Sequence, residues 1–205
     1  VITQMKKKIL LLDLCGSLVK ENTTFAFLER FDYVRRKSLI FISLYLIYKF
    51  TKFDLLRRWA IAKLKGVPKT MLRKQAKIFV KECHYNDAVL NLIEKEDFDE
   101  IYIVSATLDF IAEEFYSELN YNGFYATCLD YLDSVATGKI KVDLLNNKEN
   151  IINITRDVNK SFTMISDNFG DLNMMKKCDV AIAVANNKKA VVYWVGNGIE
   201  KIIKV

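Results

Sequence analysis

The chain has little proline and histidine, and its cysteines are not paired. Its 205 residues include one proline, one histidine and four cysteines, whereas 51% of the residues are hydrophobic. This composition argues against disorder and predicts a core large enough for one domain with an insertion. A single histidine and dispersed cysteines argue against structural zinc. Because there is no C-x-x-C spacing and no recognisable secretory signal, we expect free thiols in a reducing, cytoplasmic compartment. The cysteines are Cys15, Cys83, Cys128 and Cys178.

The chain also lacks an apolar run long enough to cross a membrane. The one candidate, residues 38–48 (SLIFISLYLIY), would cover as a helix only about 16 Å of a hydrocarbon layer roughly 30 Å thick. Apolar runs of this length are usually core, so we predict that it is buried in a helical segment. The alternative is that residues 35–52 contact an anionic membrane surface or a partner. That alternative is favoured by flanking basic residues, namely Arg35, Arg36, Lys37, Lys49 and Lys52.

The net charge of +6 is unevenly distributed. Residues 1–81 carry 19 basic and 5 acidic side chains, whereas residues 82–205 carry 12 and 20. The split indicates two different surfaces, of which the basic one would face an anionic substrate, membrane or polymer. The alternative is that the basic residues form an ordinary solvated surface. Nucleic-acid binding is not expected, because the basic residues alternate with core-like apolar runs and match no recognition motif. Residues 1–4 precede Met5 and are expected to be foreign to the native chain.

Hydrophobic periodicity divides the chain into a helical stretch and an alternating one. The predicted helices of the first stretch begin at Thr23 or Thr24, at residue 35, at residue 53, at Pro68 and at about Asn86. The alternating stretch contains predicted strands at 100–104, 123–128, 162–166 and 180–184, helices at 108–119 and 147–157, and a hairpin-like segment at 133–141. Strands separated by helices predict an α/β fold with a parallel sheet, here with a helical insertion at about 19–88.

Polar segments follow the predicted strands. The first is Asp13, which ends the apolar run ILLLDLCGSL and precedes a turn through Gly16. The others are SAT at 105–107, Lys148 at a predicted helix start, and SDNFGD at 166–171. Because ligands bind open α/β sheets beyond the carboxyl ends of the strands, these segments are expected to converge on one site.

In order and context these segments resemble the motifs of haloacid dehalogenase-like hydrolases. DLCGSL resembles the first motif, VSAT the second, the lysine of NNKENII the third and SDNFGDLNMM the acidic fourth. CDVAIAVANN resembles the strand that closes the core, and the helical insertion resembles the phosphoserine phosphatase-like branch. The resemblance implies a Rossmann-like parallel sheet flanked by helices, formed by residues 1–18 and 89–205, with an all-α cap at 19–88.

The resemblance also implies roles for individual residues. Asp13 would attack phosphorus and form an aspartyl-phosphate. Mg²⁺ would be held by Asp13, Asp167 and the backbone carbonyl of Cys15, with Asp171 supporting it from further out. The phosphoryl group would be bound by Ser105, Ala106 and Thr107, although Thr107 could instead be a helix cap.

Two further roles rest on spacing within the resemblance. Lys148 would balance the charge of the nucleophile and the phosphoryl group. Lys139 competes for this role, but Lys148 is preferred because it opens a predicted helix about twenty residues before the acidic loop, whereas Lys139 is predicted to lie in a turn. Glu21 is the nearest acid that could bind a substrate amine. The implied substrate is a small phosphomonoester, such as an amino-alcohol or amino-acid phosphate.

The chain departs from the family pattern at Cys15. The family's phosphatases carry aspartate there, and this aspartate protonates the leaving group and then deprotonates the attacking water. A thiol has a reference pKa of about 8.5, so it could donate a proton but would be a poor base. The alternatives are a slow phosphatase, a phosphotransferase, and a protein that binds phosphate without turnover. A membrane-associated or scaffold protein that uses the basic, apolar insertion is the hypothesis from a different class.

Overall fold

The computed structural model describes residues 6–51, 54–145, 147–151, 157 and 159–205. The strands are β1 (Lys7–Leu12), β2 (Glu100–Leu108), β3 (Gly123–Leu132), β4 (Val135–Val142), β5 (Lys160–Ser166), β6 (Val180–Ala185) and β7 (Lys201–Lys204). They form one sheet with the order β4-β3-β2-β1-β5-β6-β7. Neighbouring strands are parallel except for the antiparallel β3–β4 hairpin. The predicted α/β fold with a mainly parallel sheet is confirmed.

Helices cover the sheet and form the insertion. Between β1 and β2 lie α1 (Thr23–Arg30), α2 (Leu39–Thr51), α3 (Leu55–Ala62), α4 (Lys69–Glu82) and α5 (Asp87–Glu96). The later helices are α6 (Asp109–Glu118), α7 (Leu172–Lys177) and α8 (Lys188–Gly196), with a 3₁₀ turn at Phe169–Asp171. The insertion shares one hydrophobic cluster with the sheet, in which the Phe27 ring meets those of Phe79 and Phe110. The proposed boundary at residue 88 falls in the first turn of α5.

β1 lies in the middle of the sheet because its second half is apolar on both faces. Residues 9–12 are at most 2% exposed, as a strand covered on both sides requires. In the register of the sheet, Leu12 is opposite Ile103 of β2 and Ile165 of β5. Asp13 therefore leaves the sheet between the chain segments that carry Ser105 and Ser166.

Several element ends differ from the prediction. The cap of α1 is Asn22, whose side-chain oxygen accepts a hydrogen bond from the Phe25 N–H, so neither Thr23 nor Thr24 has that role. β2 continues through SAT to Leu108, and Thr107 is therefore not a helix cap. The predicted hairpin-like segment is a true β-hairpin, in which Lys139 lies within β4 and not in a turn. Residues 152–156 of the predicted helix at 147–157, like residues 1–4, lie outside the described residues.

The prediction that the apolar run at 38–48 is buried is wrong. No residue of α2 is buried, and Leu39 and Phe50 are 84% and 83% exposed. The helix packs against α3, and its Phe41 ring meets those of Phe25 and Trp59. These contacts cover one side of a helix that is apolar on every side, which is the physical reason that the rest stays exposed. In the part of the chain that the structure describes, no helix is long and apolar enough to cross a membrane.

Candidate active site

The segments that follow β1 and β5 and the last part of β2 line one pocket, together with the N-terminal end of the insertion. The pocket has a volume of about 630 Å³. Its lining includes Asp13, Cys15, Ser105, Ala106, Thr107, Lys148 and Asp167 from the predicted site. The convergence follows from the sheet, because parallel strands deliver their carboxyl ends to the same edge.

A buried network of opposite charges forms the floor of this pocket. Lys148 Nζ lies 2.7 Å from Asp13 Oδ1 and 2.7 Å from Asp171 Oδ2. Ser166 Oγ donates to Asp171 Oδ2 at 2.7 Å and lies 3.5 Å from Asp13 Oδ2. All four side chains are nearly inaccessible to solvent. The lysine therefore links the acid after β1 to the acid after β5, and Ser166 supports the same link.

The electrostatics of the network follow from its burial. Burial opposes the charged form of Lys148, but the carboxylates of Asp13 and Asp171 outweigh it and raise the pKa of Lys148 above its ordinary value. Burial also raises the pKa of Asp13, and the charge of Lys148 offsets part of this rise. Lys148 is thus a permanent cation beside Asp13, able to balance negative charge there.

Asp167 lies against the turn that follows Asp13. Its backbone N–H donates to Ser17 Oγ at 2.8 Å, and the same hydroxyl is 3.3 Å from Asp167 Oδ1. Gly16 has φ +72°, and a Cβ atom there would lie 2.1 Å from Asp167 Oδ2. The position therefore requires glycine both for its left-handed backbone and for the close approach of the carboxylate.

The charges around Asp167 fit a divalent cation. Burial, and next the charge of Asp13, raise the pKa of Asp167 to about 7. Three carboxylates meet in this region, and Lys148 bonds to only two of them. One lysine leaves an excess of negative charge among the three carboxylates, and Asp13 and Asp167 offer oxygen ligands of the kind Mg²⁺ takes, usually one or two carboxylates completed by water and phosphate. Within the described ranges, however, no cluster of three or more His, Cys, Asp or Glu side chains is arranged to hold a metal.

Ser105, Ala106 and Thr107 lie on one wall of the pocket, at the end of β2. The Thr107 N–H donates to Ser105 Oγ at 3.3 Å, so this N–H serves the strand end and not a helix start. Ser105 is 1% exposed. Thr107 Oγ1 accepts a hydrogen bond of 2.6 Å from Thr23 Oγ1. The Thr107 hydroxyl is therefore ordered by Thr23, the first residue of α1.

Cys15 is held by the same threonine. Its Sγ lies 3.1 Å from Thr23 Oγ1 and accepts from the Thr23 N–H at 3.4 Å. Burial, and next the charge of Asp13, raise the pKa of the Cys15 thiol, so the neutral thiol is the dominant form. Thr23 thus connects Cys15 to Thr107, an arrangement that the capping prediction for Thr23 missed.

Glu21 and Lys139 are not brought to the pocket. Glu21 Oε1 accepts from the His84 N–H at 3.0 Å and lies 2.5 Å from His84 Nδ1. Burial alone would raise the pKa of Glu21, but the hydrogen bonds from His84 outweigh it and lower the pKa. Lys139 lines a separate hollow with Arg58 and Lys141. Of the two competing lysines, Lys148 is the one in contact with Asp13.

Arg57 is a pocket residue that sequence reasoning missed. It projects from α3 and is only 6% exposed. Its Nη1 lies 2.9 Å from Asp143 Oδ2, and its Nη2 donates to Ala106 O and Thr127 Oγ1, both at 3.0 Å. The insertion is thereby fixed to the last part of β2 and to the middle of β3. The only sequence feature that pointed to Arg57 is its place beside the apolar positions of an amphipathic helix. Because arginines at such places usually reach the solvent, this feature did not predict a buried contact.

The fold is similar to that of several solved structures. A HAD family hydrolase from Salmonella enterica subsp. enterica serovar Typhi aligns with a TM-score of 0.72 at 17% identity, over 98% of this chain and 68% of that one. A protein of unknown function from Bordetella pertussis Tohama I aligns with a TM-score of 0.79 at 13% identity, over 97% and 98% of the two chains. A phosphoserine phosphatase from T. onnurineus aligns with a TM-score of 0.63 at 15% identity, over 100% and 92%.

No protein-family model matches the chain, and no curated protein matches its sequence. At such low identities the structural matches establish the fold alone. The chain therefore has the fold of haloacid dehalogenase-like hydrolases and phosphoserine phosphatases. The resemblance recognised from the sequence motifs is confirmed at this level.

Proposed function

We propose that this protein is a Mg²⁺-dependent phosphomonoesterase with Asp13 as its nucleophile. The observation that carries the proposal is the contact of Lys148 with both Asp13 and Asp171 in a pocket that also contains Ser105 and Asp167. Lys148 places a cation beside the Asp13 carboxylate, Asp167 supplies a second carboxylate in the same pocket, and Ser105 supplies a hydroxyl. Together these groups suit transfer of a phosphoryl group.

In the first step an oxygen of Asp13 attacks phosphorus and the ester P–O bond breaks. Oδ2 is suited to attack, because Lys148 holds Oδ1 at 2.7 Å whereas Ser166 Oγ is 3.5 Å from Oδ2. Ser105 donates its hydroxyl to a phosphoryl oxygen. The leaving alkoxide takes a proton, and an aspartyl-phosphate remains on Asp13.

Asp13, Asp167 and the backbone carbonyl of Cys15 would hold Mg²⁺, with Asp171 orienting the site through Lys148 and Ser166. When bound, Mg²⁺ supplies positive charge between the attacking carboxylate and the phosphate and so reduces their repulsion. Ser17 positions Asp167 for this role through its two contacts.

In the second step water attacks phosphorus, the bond to Asp13 breaks and phosphate leaves. This step requires a base, and Cys15 occupies the position from which the fold's phosphatases supply one. The thiol can donate a proton to the leaving alkoxide. If the resulting thiolate then regains a proton from solvent, no base remains at position 15 and hydrolysis of the aspartyl-phosphate is slow. Transfer to an acceptor alcohol is therefore the second candidate function, favoured by the thiol at Cys15.

The substrate proposal is limited by Glu21. An amino-alcohol or amino-acid phosphate requires Glu21 to bind an amine, but Glu21 Oε1 accepts from His84 and the residue lies outside the pocket lining. The remaining support is for a phosphomonoester as such.

The test is phosphate release with Mg²⁺ from a panel of phosphomonoesters, compared with Asp13→Asn. We expect release by the wild-type protein, and loss on substitution or on addition of a chelator. A rapid burst of alcohol release followed by slow phosphate release would support the phosphotransfer candidate. Equal release by wild type and Asp13→Asn, or none from either, would contradict the enzymatic proposal.

A further inference from the structure

The outer side of α2 is an apolar stripe on the protein surface. The stripe consists of Leu39, Ile42, Leu46 and Phe50, which are 84%, 45%, 47% and 83% exposed. Their spacing of three and four residues places them on one side of the helix. The opposite side, through Phe41, packs on Phe25 and Trp59. A contiguous apolar surface of this kind on a water-exposed helix is typical of an interaction site.

The surroundings of the stripe are basic. No acidic residue occurs between Asp32 and Asp54, whereas this interval contains five basic residues. They are Arg35, Arg36 and Lys37 before the helix, Lys49 within it and Lys52 after it in sequence. Arg36 is paired with Glu29 at 2.8 Å, so the positive charge rests on the other four. Apolar side chains flanked by positive charge complement an anionic lipid surface, where acyl chains accept the former and head groups the latter.

The length of α2 determines how such a contact would be made. Thirteen residues rise about 20 Å as an α-helix, less than the roughly 30 Å of a hydrocarbon core. A helix of this length with basic residues at both ends lies along the membrane surface. Tyr45, which is 50% exposed, would then be near the head groups, where tyrosine is enriched.

A groove joins α2 to the catalytic pocket. It has a volume of about 360 Å³, and α2 forms one wall through Phe41 and Tyr45. Phe25, Arg57 and Leu145 line both the groove and the catalytic pocket. Because Tyr45 is half-exposed, the groove opens to the surface beside the stripe. Phe25, Phe41 and Leu56 give the groove an apolar wall, while Arg36 and Asp54 also line it. A molecule with its phosphate near Asp13 could extend an apolar tail along that wall towards the membrane.

We propose that α2 lies on an anionic membrane and that the substrate is a phosphomonoester carried by a membrane lipid. The substrate part rests on the phosphatase function proposed above, whereas the docking part does not. The stripe holds the protein at the bilayer, and the groove accepts the part of the lipid between its phosphate and the bilayer interior.

Docking is tested by flotation of the full chain with phosphatidylcholine vesicles, with and without phosphatidylserine. We expect binding only with the anionic lipid and weaker binding at high salt. Leu46→Glu should reduce the partition coefficient more than tenfold, while Val192→Glu, an exposed apolar position on α8, should not change it. Lys37→Gln should reduce it about fivefold, and Lys189→Gln should not. Equal effects of the paired variants, or no binding at low salt, would overturn the docking proposal.

The substrate part is tested with phosphatidate in vesicles and with soluble para-nitrophenyl phosphate. Leu46→Glu should lose phosphate release from phosphatidate but retain it from the soluble ester. Asp13→Asn should lose both activities while still binding phosphatidylserine vesicles. Wild-type release from the soluble ester alone would overturn the lipid substrate, and release from neither ester would overturn the phosphatase function while flotation still decides docking.

A second copy of the chain is the competing occupant of the stripe. Sedimentation without lipid distinguishes it. We expect a monomer for both wild type and Leu46→Glu. A wild-type dimer that Leu46→Glu converts to monomer would overturn membrane docking.

Discussion

Lys148 and Asp13 are 135 residues apart in sequence and 2.7 Å apart in the structure. The pair joins the end of the central strand to the segment that precedes β5, and the same ammonium group reaches Asp171. Removing one partner of a buried ion pair leaves the other charge buried without compensation. The resulting loss of stability is much larger than the net stabilisation that the intact pair provides.

Lys148→Met should therefore destabilise the protein and abolish phosphate release. We expect the free energy of unfolding to fall by about 3–5 kcal/mol, measured by urea denaturation. Lys139→Met is the matched control, because Lys139 lies on β4 and outside the pocket. It should leave stability and activity near wild type, and a larger effect of Lys139→Met would reverse the assignment of the two lysines.

Cys15→Asp should accelerate hydrolysis. Supplying a general acid–base typically raises the rate by about 10²–10⁴, and the gain should be largest for esters with basic leaving groups because these need a proton most. Cys15→Asn, of similar size but unable to transfer the proton, is the control. If turnover by Cys15→Asp does not exceed that of wild type, another group already transfers the proton.

Gly16→Ala should disrupt the site more than its backbone strain explains. A left-handed backbone costs a non-glycine residue about 1–2 kcal/mol, and here the added Cβ would also meet the Asp167 carboxylate. Gly66→Ala is the comparison, since Gly66 has φ +87° and nothing within 4 Å of the position. Thermal melts and phosphate release should show a small stability loss for Gly66→Ala, and a larger one with loss of activity for Gly16→Ala. Indistinguishable variants would argue against close packing of Asp167 on the turn.

The Asp143–Arg57 ion pair should contribute stability that depends on pH. Although partial burial opposes it, the hydrogen bonds from Arg57 lower the pKa of Asp143. Because the folded pKa lies below the unfolded one, the stabilisation is present above the ordinary aspartate pKa and is lost as the pH falls through the lowered value.

Asp143→Asn should accordingly destabilise the protein at neutral pH, and the difference from wild type should shrink as the pH falls below about 4. Denaturation of both proteins over a pH series measures it. Asp54, which is 3.5 Å from Arg57, is retained in both. A difference that is constant with pH would exclude the charge of Asp143 as its source.

Much of the fold was predictable because burial leaves a local pattern. Residues 9–12 are continuously apolar since helices cover both faces of the sheet, and the later strands carry similar runs. The edge strand β7 was missed because it is short and its residues are exposed or half-buried. The helical run of α2 was recognised, but its exposure was not, because an apolar pattern does not reveal whether a partner covers it.

The sequence alone indicated most of the order of strands and helices, because that order depends on local periodicity. Its resemblance to the haloacid dehalogenase-like motifs singled out Asp13, Ser105, Lys148 and Asp167 as candidate site residues. Only the tertiary structure decided that Lys148 contacts Asp13, that Glu21 turns to His84 and that Arg57 reaches β2 and β3. Each is a long-range contact between side chains, chosen by how the helices pack on the sheet. No local pattern encodes that choice. The sequence therefore showed that Cys15 departs from the family pattern, but it did not show that Thr23 contacts it.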